Sequence, residues 1–296
     1  MDFSLTEEQR AFKSELEDFF REEMKNAPPC YQNTTLIEAM YHTDEGFAFH
    51  RYMQKRLAEK GWLTMAWPEK YGGRGASIAE QVIFNEVHSY YRAPGIDRFG
   101  VAMFAPTVML FASEEQKARI LPPIARGEVQ YCQGWSEPNA GSDLASLSTT
   151  AVRDGDYYVV NGQKTWTTAG HRADHMFLLA RTDPSKKRNA GLSVFNVDMG
   201  LPGIEVRPIR YMNGGHFYNE VFFTDVKIHK DELVGPEGDG WKLTRATMNF
   251  ERSGAGAYAA LLRSFEELLE YVKGTSRDGK PLAQDPVVRR KLAMIY

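Results

Sequence analysis

Cysteine is almost missing: Cys30 and Cys132 are the two among 296 residues. Two thiols so far apart make no disulfide framework, which excludes the stapled secreted scaffolds and fits a reducing compartment. No run of 18 apolar residues occurs, so no membrane-spanning helix is expected. The start, MDFSLTEEQR, has neither the basic leader nor the apolar core of a secretion signal, and a cytoplasmic protein is expected. Positive charge is not in excess either. The 36 basic and 39 acidic residues leave a net charge of -3, so nothing in the balance favours nucleic acid or an anionic membrane. The histidines come with no cysteine pair at metal-ligand spacing, and no metal site is expected.

What is present is ordinary for a globular protein, 43% hydrophobic and 25% charged, in a length that suits two or three compact units. Thr6 with Gln9 predicts a capping box, after which Phe12, Leu16, Phe19 and Phe20 share one helical face. Residues 57–63 and 78–87 also read as helix, on either side of the loop PEKYGGRGAS. Ser113 with Gln116 opens a further helix that the Pro122-Pro123 pair is expected to stop. From Val129 the pattern changes to period two, with strands expected at 129–135, 157–161, 176–181, 192–197, 204–209 and 220–226. Asp154-Gly155 and Asn161-Gly162 read as two-residue hairpin turns, whose central positions need positive φ. After the loop GPEGDG a helical period returns through Leu243, Phe250, Leu261 and Val272. It predicts one long helix ending at Gly274, with another starting near Pro286. The fold class is therefore α+β: an N-terminal helical domain over 1–128, a middle antiparallel β domain over 129–236, and a C-terminal helical bundle over 237–296 that is cut short.

Three segments carry candidate chemistry. YCQGWSEPNAGSDLASL leaves a strand through small and polar residues, and Ser136, Asn139, Gly141, Ser142 and Asp143 offer donors and close backbone approach. That suits a flat hydrogen-bonding heterocycle or a phosphate, and equally a polar turn capped by its own side chains. NGQKTWTTAGHRAD sets Trp166 and Thr168 on one strand face, an aromatic wall beside a hydroxyl, although a strand tryptophan is also an ordinary core residue. ATMNFERSGAGAYAA places Glu251 on a helix beside its apolar stripe, four residues after Thr247. The plain alternative is a solvated Glu251-Arg252 with Gly254 and Gly256 for close helix packing. Gly254-x-Gly256-x-x-Ala259 is not a dinucleotide fingerprint, because a helical stretch precedes it where a strand is needed. GPEGDG lacks the Lys-Ser/Thr ending of a phosphate-binding loop.

Taken in order, DFSLTEEQ, WPEKYGGRG, SEPNAGSD, NGQKTWTT, FFTDVKI and NFERSG resemble the acyl-CoA dehydrogenase family over essentially the whole chain. The resemblance implies FAD held among a helical, a β and a four-helix domain. It implies flavin contacts from Gln133, Trp135, Ser136, Ser142, Trp166, Thr167 and Thr168, with Ser142 also towards the acyl-CoA, and substrate contacts from Asn249, Phe250 and Arg252. Some branches place the catalytic glutamate on this helix, in a motif similar to Asn249-Phe250-Glu251-Arg252, which implies Glu251 as the base. It further implies an acyl-CoA substrate, electron-transfer flavoprotein as acceptor, and a homo- or hetero-oligomer. Two alternatives stay open: a non-catalytic or truncated subunit of a hetero-oligomer, and an acyl-CoA oxidase or flavin monooxygenase of the same fold.

Overall fold

The computed structural model describes residues 4–33, 35–186, 188–251 and 257–296. In chain order its helices are α1 (Glu7–Glu23), α2 (Cys30–Asn33), α3 (Leu36–Tyr41), α4 (Asp44–Glu59), α5 (Ile78–Tyr90), α6 (Ala105–Phe111), α7 (Glu114–Ala125), α8 (Gly240–Glu251), α9 (Ala257–Gly274) and α10 (Pro286–Ile295). Its strands are β1 (Tyr131–Gly134), β2 (Thr150–Asp154), β3 (Tyr157–Lys164), β4 (His175–Arg181), β5 (Leu192–Asp198), β6 (Ile204–Arg210), β7 (His216–His229), β8 (Leu233–Val234), β9 (Ser276–Arg277) and β10 (Lys280–Pro281). The order is helices, then a β domain, then helices.

By contacts the chain divides into two compact units. The first is helical and drawn from Met1–Asn26, Ser77–Ala93 and Gly254–Tyr296. Thr6 caps α1 reciprocally: its hydroxyl accepts from the Gln9 amide at 3.2 Å while the Gln9 side chain accepts from the Thr6 amide at 3.0 Å. The apolar face so started buries Leu16 and Phe20, and Phe20 meets Phe84 of α5 at 6.0 Å between ring centres. Tyr90 and Arg92 tie α5 and its end to Glu266 and Glu267 of α9.

The second unit spans Ala27–Ala76 and Pro94–Ser253 and holds an eight-stranded sheet in the order β6-β7-β3-β2-β4-β5-β8, with β1 added on β4. The pairings are antiparallel except that β1 runs parallel to β4, and β2 meets β4 in parallel at Thr150 and Arg181. Met176, Phe177, Leu178, Leu179 and Ala180 are all fully buried, so β4 is covered on both faces and reads as a continuous apolar run rather than an alternation. Edge strand β6 keeps the half-exposed alternation and tolerates Pro208, which would break a central ladder.

The sequence reading needs correction at several joints. Asn161-Gly162 is not a hairpin turn; it lies inside β3, where the pairing with β7 slips between Val160 and Gly162. The hairpin turn is Gly155-Asp156, one residue beyond the expected pair, joining β3 to β2, a strand the period-two reading passed over. The proline pair does not stop α7, which runs on to Ala125 because Pro122 and Pro123 still accept at their carbonyls from Arg126 and Glu128. Helix α4 ends at Glu59, ahead of Gly61 with φ +67°, so residues 60–63 are not helical. The expected long helix is described as α8 and α9, and residues 252–256 between them lie outside the described residues.

Candidate functional site

Strand β1 is the root of the site. Its first amide, Tyr131, donates to buried Asp97 at 2.9 Å, and the Gln130 side chain adds a bond of 2.9 Å to the same carboxylate. Burial pushes the Asp97 carboxyl up to about 7, against the pull of the backbone amides that bond to it. Asp97 also caps a seven-residue π-helix, Arg98–Phe104, that leads straight into α6. Such wide helical turns concentrate at functional sites, and no sequence pattern pointed to this one.

Beyond β1 the chain passes Trp135 and Ser136 into a tight bridge between Glu137 and Ala140. Gln133 and Ser136 are half-buried, Trp135 is buried, and Ser142 is exposed in the turn that follows. Trp135 stands edge-on to Phe177 at 5.3 Å, Phe177 meets Phe104 of the π-helix at 4.9 Å, and Thr107 on α6 shares a 2.7 Å hydroxyl bond with Thr247 of α8. Ring contacts thus run from the first segment to the π-helix, and a hydroxyl bond from α6, which directly follows that π-helix, reaches the helix that carries the candidate base. Leu243, Thr244 and Thr247 form the buried row of α8, and Glu251 closes that helix four positions after Thr247. The side chains of Phe250 and Glu251, and all of Arg252, lie outside the described residues; Asn249 is exposed.

The second segment differs from its expectation. Trp166 and Thr168 do not share a strand face, because β3 ends at Lys164 and the chain turns through Trp166 and Ala169, each with φ +58°. Left-handed backbone in non-glycine residues costs roughly 1 to 2 kcal/mol each, so the turn must be held from outside. It is. Thr165 donates to the Ser136 carbonyl at 2.8 Å, Thr167 and Asn219 exchange backbone bonds of 2.9 and 3.0 Å, and Ala169 donates to Phe217 at 2.8 Å. Trp166 stays 59% exposed, edge-on to Tyr218 at 5.7 Å, so it is not a core tryptophan. Thr167 is buried and Thr168 half-buried.

Two polar atoms in this region are buried without a hydrogen-bond partner among the described residues: the Trp135 indole Nε1 and the Thr167 Oγ1. One lies on each segment. Leaving such groups unpaired in a folded protein costs on the order of 1 to 3 kcal/mol each, which a polar heterocycle lying against both would relieve. The residues present fit a flat ring edged with acceptors.

Sequence reasoning missed Glu137 and Lys164, which form a buried ion pair at 2.8 Å between these segments. The signal was available. Lys164 continues the inward row of Tyr158 and Val160 on β3, and a lysine on a buried face requires a partner. His171 and His175 share four-residue spacing but stand in a short turn and at the start of β4. No group of three metal-capable side chains occurs among the described residues.

Three family models cover nearly the whole chain: the acyl-CoA dehydrogenase N-terminal domain at residues 6–128, middle domain at 132–226 and C-terminal domain at 238–296. The chain is 41% identical over 255 residues to the acyl-CoA dehydrogenase IpdE1 of Mycobacterium tuberculosis, an alignment covering 85% of this chain and 65% of that protein. It therefore spans about two thirds of the length of that curated relative. Among solved structures, the ChsE4-ChsE5 complex from Mycobacterium tuberculosis matches with a TM-score of 0.86 and 34% identity over 100% of this chain and 74% of the other. The Tcur3481-Tcur3483 steroid ACAD matches with a TM-score of 0.86 and 31% identity over 99% and 73%.

Proposed function

The chain belongs to the acyl-CoA dehydrogenase family, and from that premise we propose that it catalyses FAD-dependent α,β-dehydrogenation of an acyl-CoA thioester to the trans-2-enoyl-CoA. The observation that carries this reading is the pair of unpartnered buried atoms, Trp135 Nε1 and Thr167 Oγ1, one on each of two adjoining segments. Gln133, Trp135, Ser136, Trp166, Thr167 and Thr168 would hold the flavin. Ser142, Asn249, Phe250 and Arg252 would line the acyl-CoA. FAD, when bound, supplies the hydride acceptor.

The remaining work falls to side chains. Glu251 takes the proton from the carbon next to the thioester, a role that asks for a partly desolvated carboxylate, since desolvation raises its basicity. Trp135 and the Trp166 turn fix the flat face against which the acyl chain aligns, and alignment is a large share of such a barrier. Electron-transfer flavoprotein is the acceptor in this reading; oxygen uptake on adding substrate would instead mark an oxidase. A bulky acyl group, of the kind named in the steroid ACAD relative, is the narrower substrate class we propose.

Replacing the candidate base tests the reading directly. Glu251→Gln in the full chain should abolish bleaching of flavin absorbance by acyl-CoA thioesters while leaving FAD bound. Undiminished bleaching would remove Glu251 from the mechanism. A second reading, a subunit of a hetero-oligomer, is favoured by the two-component solved relatives.

A further inference from the structure

Within the second unit, the sheet encloses an ion pair that the proposed chemistry does not use. Lys164 is fully buried at the end of β3, and its Nζ donates to Glu137 Oε1 at 2.8 Å and to the Trp135 carbonyl at 3.1 Å. Glu137 in turn accepts from the Ser148 amide at 2.7 Å, the Ser148 hydroxyl at 2.8 Å and the Thr149 amide at 2.9 Å. Burial works against the Glu137 charge, but Lys164 and these donors outweigh it and hold the carboxyl well below the usual carboxylate range.

Stability alone does not explain the arrangement. A buried ion pair is commonly matched or exceeded by well-packed apolar residues of the same volume, because desolvating two charges costs about as much as their attraction returns. What apolar residues cannot do is aim hydrogen bonds. Here the bonds are aimed at consecutive carbonyls: the Lys164 side chain takes that of Trp135, and the next residue's amide, Thr165, takes that of Ser136 at 2.8 Å. The unpartnered atoms, Trp135 Nε1 and Thr167 Oγ1, sit on the two strips of chain joined by this seam.

We propose that Glu137 and Lys164 are positioning residues for the cofactor, fixing the Trp135–Ser136 strip and the Thr165–Thr168 turn in the relative orientation that flavin binding requires. This rests on the flavin reading given under Proposed function. The pair acts at one remove: Lys164 orients the peptide after Trp135, Glu137 anchors Lys164 to Ser148 and Thr149 just ahead of β2, and both strips inherit their direction from it.

The test compares the full wild-type chain with Glu137→Gln and with the double variant Glu137→Gln, Lys164→Met, which removes both charges while nearly preserving volume. Each is stripped of flavin and titrated with FAD by fluorescence, melted without flavin, and followed by amide hydrogen exchange. The double variant is expected to melt close to wild type yet bind FAD about tenfold or more weakly, the scale on which metal sites respond to loss of an outer-shell partner. Exchange should accelerate at the Ser148, Thr149 and Thr165 amides and stay slow at Leu178 and Val194. The single variant, which leaves the lysine without its carboxylate, should lose stability as well. A double variant with native FAD affinity and native exchange at those three amides overturns the inference and leaves the function reading standing. A wild-type chain that takes up no FAD overturns both, and is recognised from the wild type alone.

Discussion

His171 shows how tightly single side chains are specified around the Trp166 turn. Its Nε2 donates to the Tyr41 carbonyl at 2.9 Å, its Nδ1 accepts from the Asn219 amide group at 3.1 Å, and its ring stacks on His216 at 4.1 Å. Asn219 passes the constraint on, donating to the Thr167 carbonyl at 3.0 Å. Burial, aided by His216 and Arg172, presses the His171 imidazole down from 6.5 to about 4, with the bond to Tyr41 opposing. Between those values the unfolded chain binds the extra proton, so this contribution to stability is complete above about pH 6.5 and is lost as pH falls towards 4. The slope of unfolding free energy against pH, from urea titrations, should therefore be less positive in His171→Gln than in wild type over that window, by at most about 1.4 kcal/mol per pH unit for one proton. Parallel profiles would show that His171 is not held neutral. Asp97, raised to about 7, tilts the curve the other way in both proteins and cancels in the difference. None of this network was readable from the sequence, because its members come from α3, the turn after β3, and β7. Trp135 and Trp166 were readable as candidates; the buried state of one and the left-handed backbone of the other were not.

Elements with strong local signals were legible, and those decided by tertiary pairing were not. The capping boxes at Thr6 and Ser113 and the stop at Gly274 depend on neighbours three or four residues away, and each forms where expected. Gly162 shows the opposite case. An Asn-Gly pair favours positive φ both in a hairpin turn and at a strand irregularity, and only the partner strand decides between them. With φ +149°, a Cβ on Gly162 would lie 2.4 Å from Thr149 Oγ1 and 2.7 Å from its Cα, which is backbone and cannot swing aside. Gly162→Ala should cost roughly 2 to 4 kcal/mol by denaturant unfolding, combining strain and overlap. A loss under about 0.5 kcal/mol would mean that the slip in β3 is not enforced by this contact. The proline pair in α7 misled for a related reason: missing amides weaken a helix, yet the following turn uses carbonyls, which proline retains.

At the scale of the whole chain, composition excluded more than it identified. A charge of -3 gave no support to nucleic-acid binding, and no described helix is long and apolar enough to cross a membrane, but the candidate site came from ordered motifs and paired segments. Whether one chain suffices is decided by turnover. The purified chain should reduce its flavin and pass electrons on without a second, different chain; a protein that takes FAD yet turns over only when a distinct partner is added establishes the subunit reading. One more consequence belongs to the buried salt link behind Trp135. Water solvates ions less favourably as it warms, so the hydration forfeited by Lys164 and Glu137 shrinks on heating, whereas apolar burial levels off. The cofactor seam should then be among the last parts of the sheet to loosen in a melt.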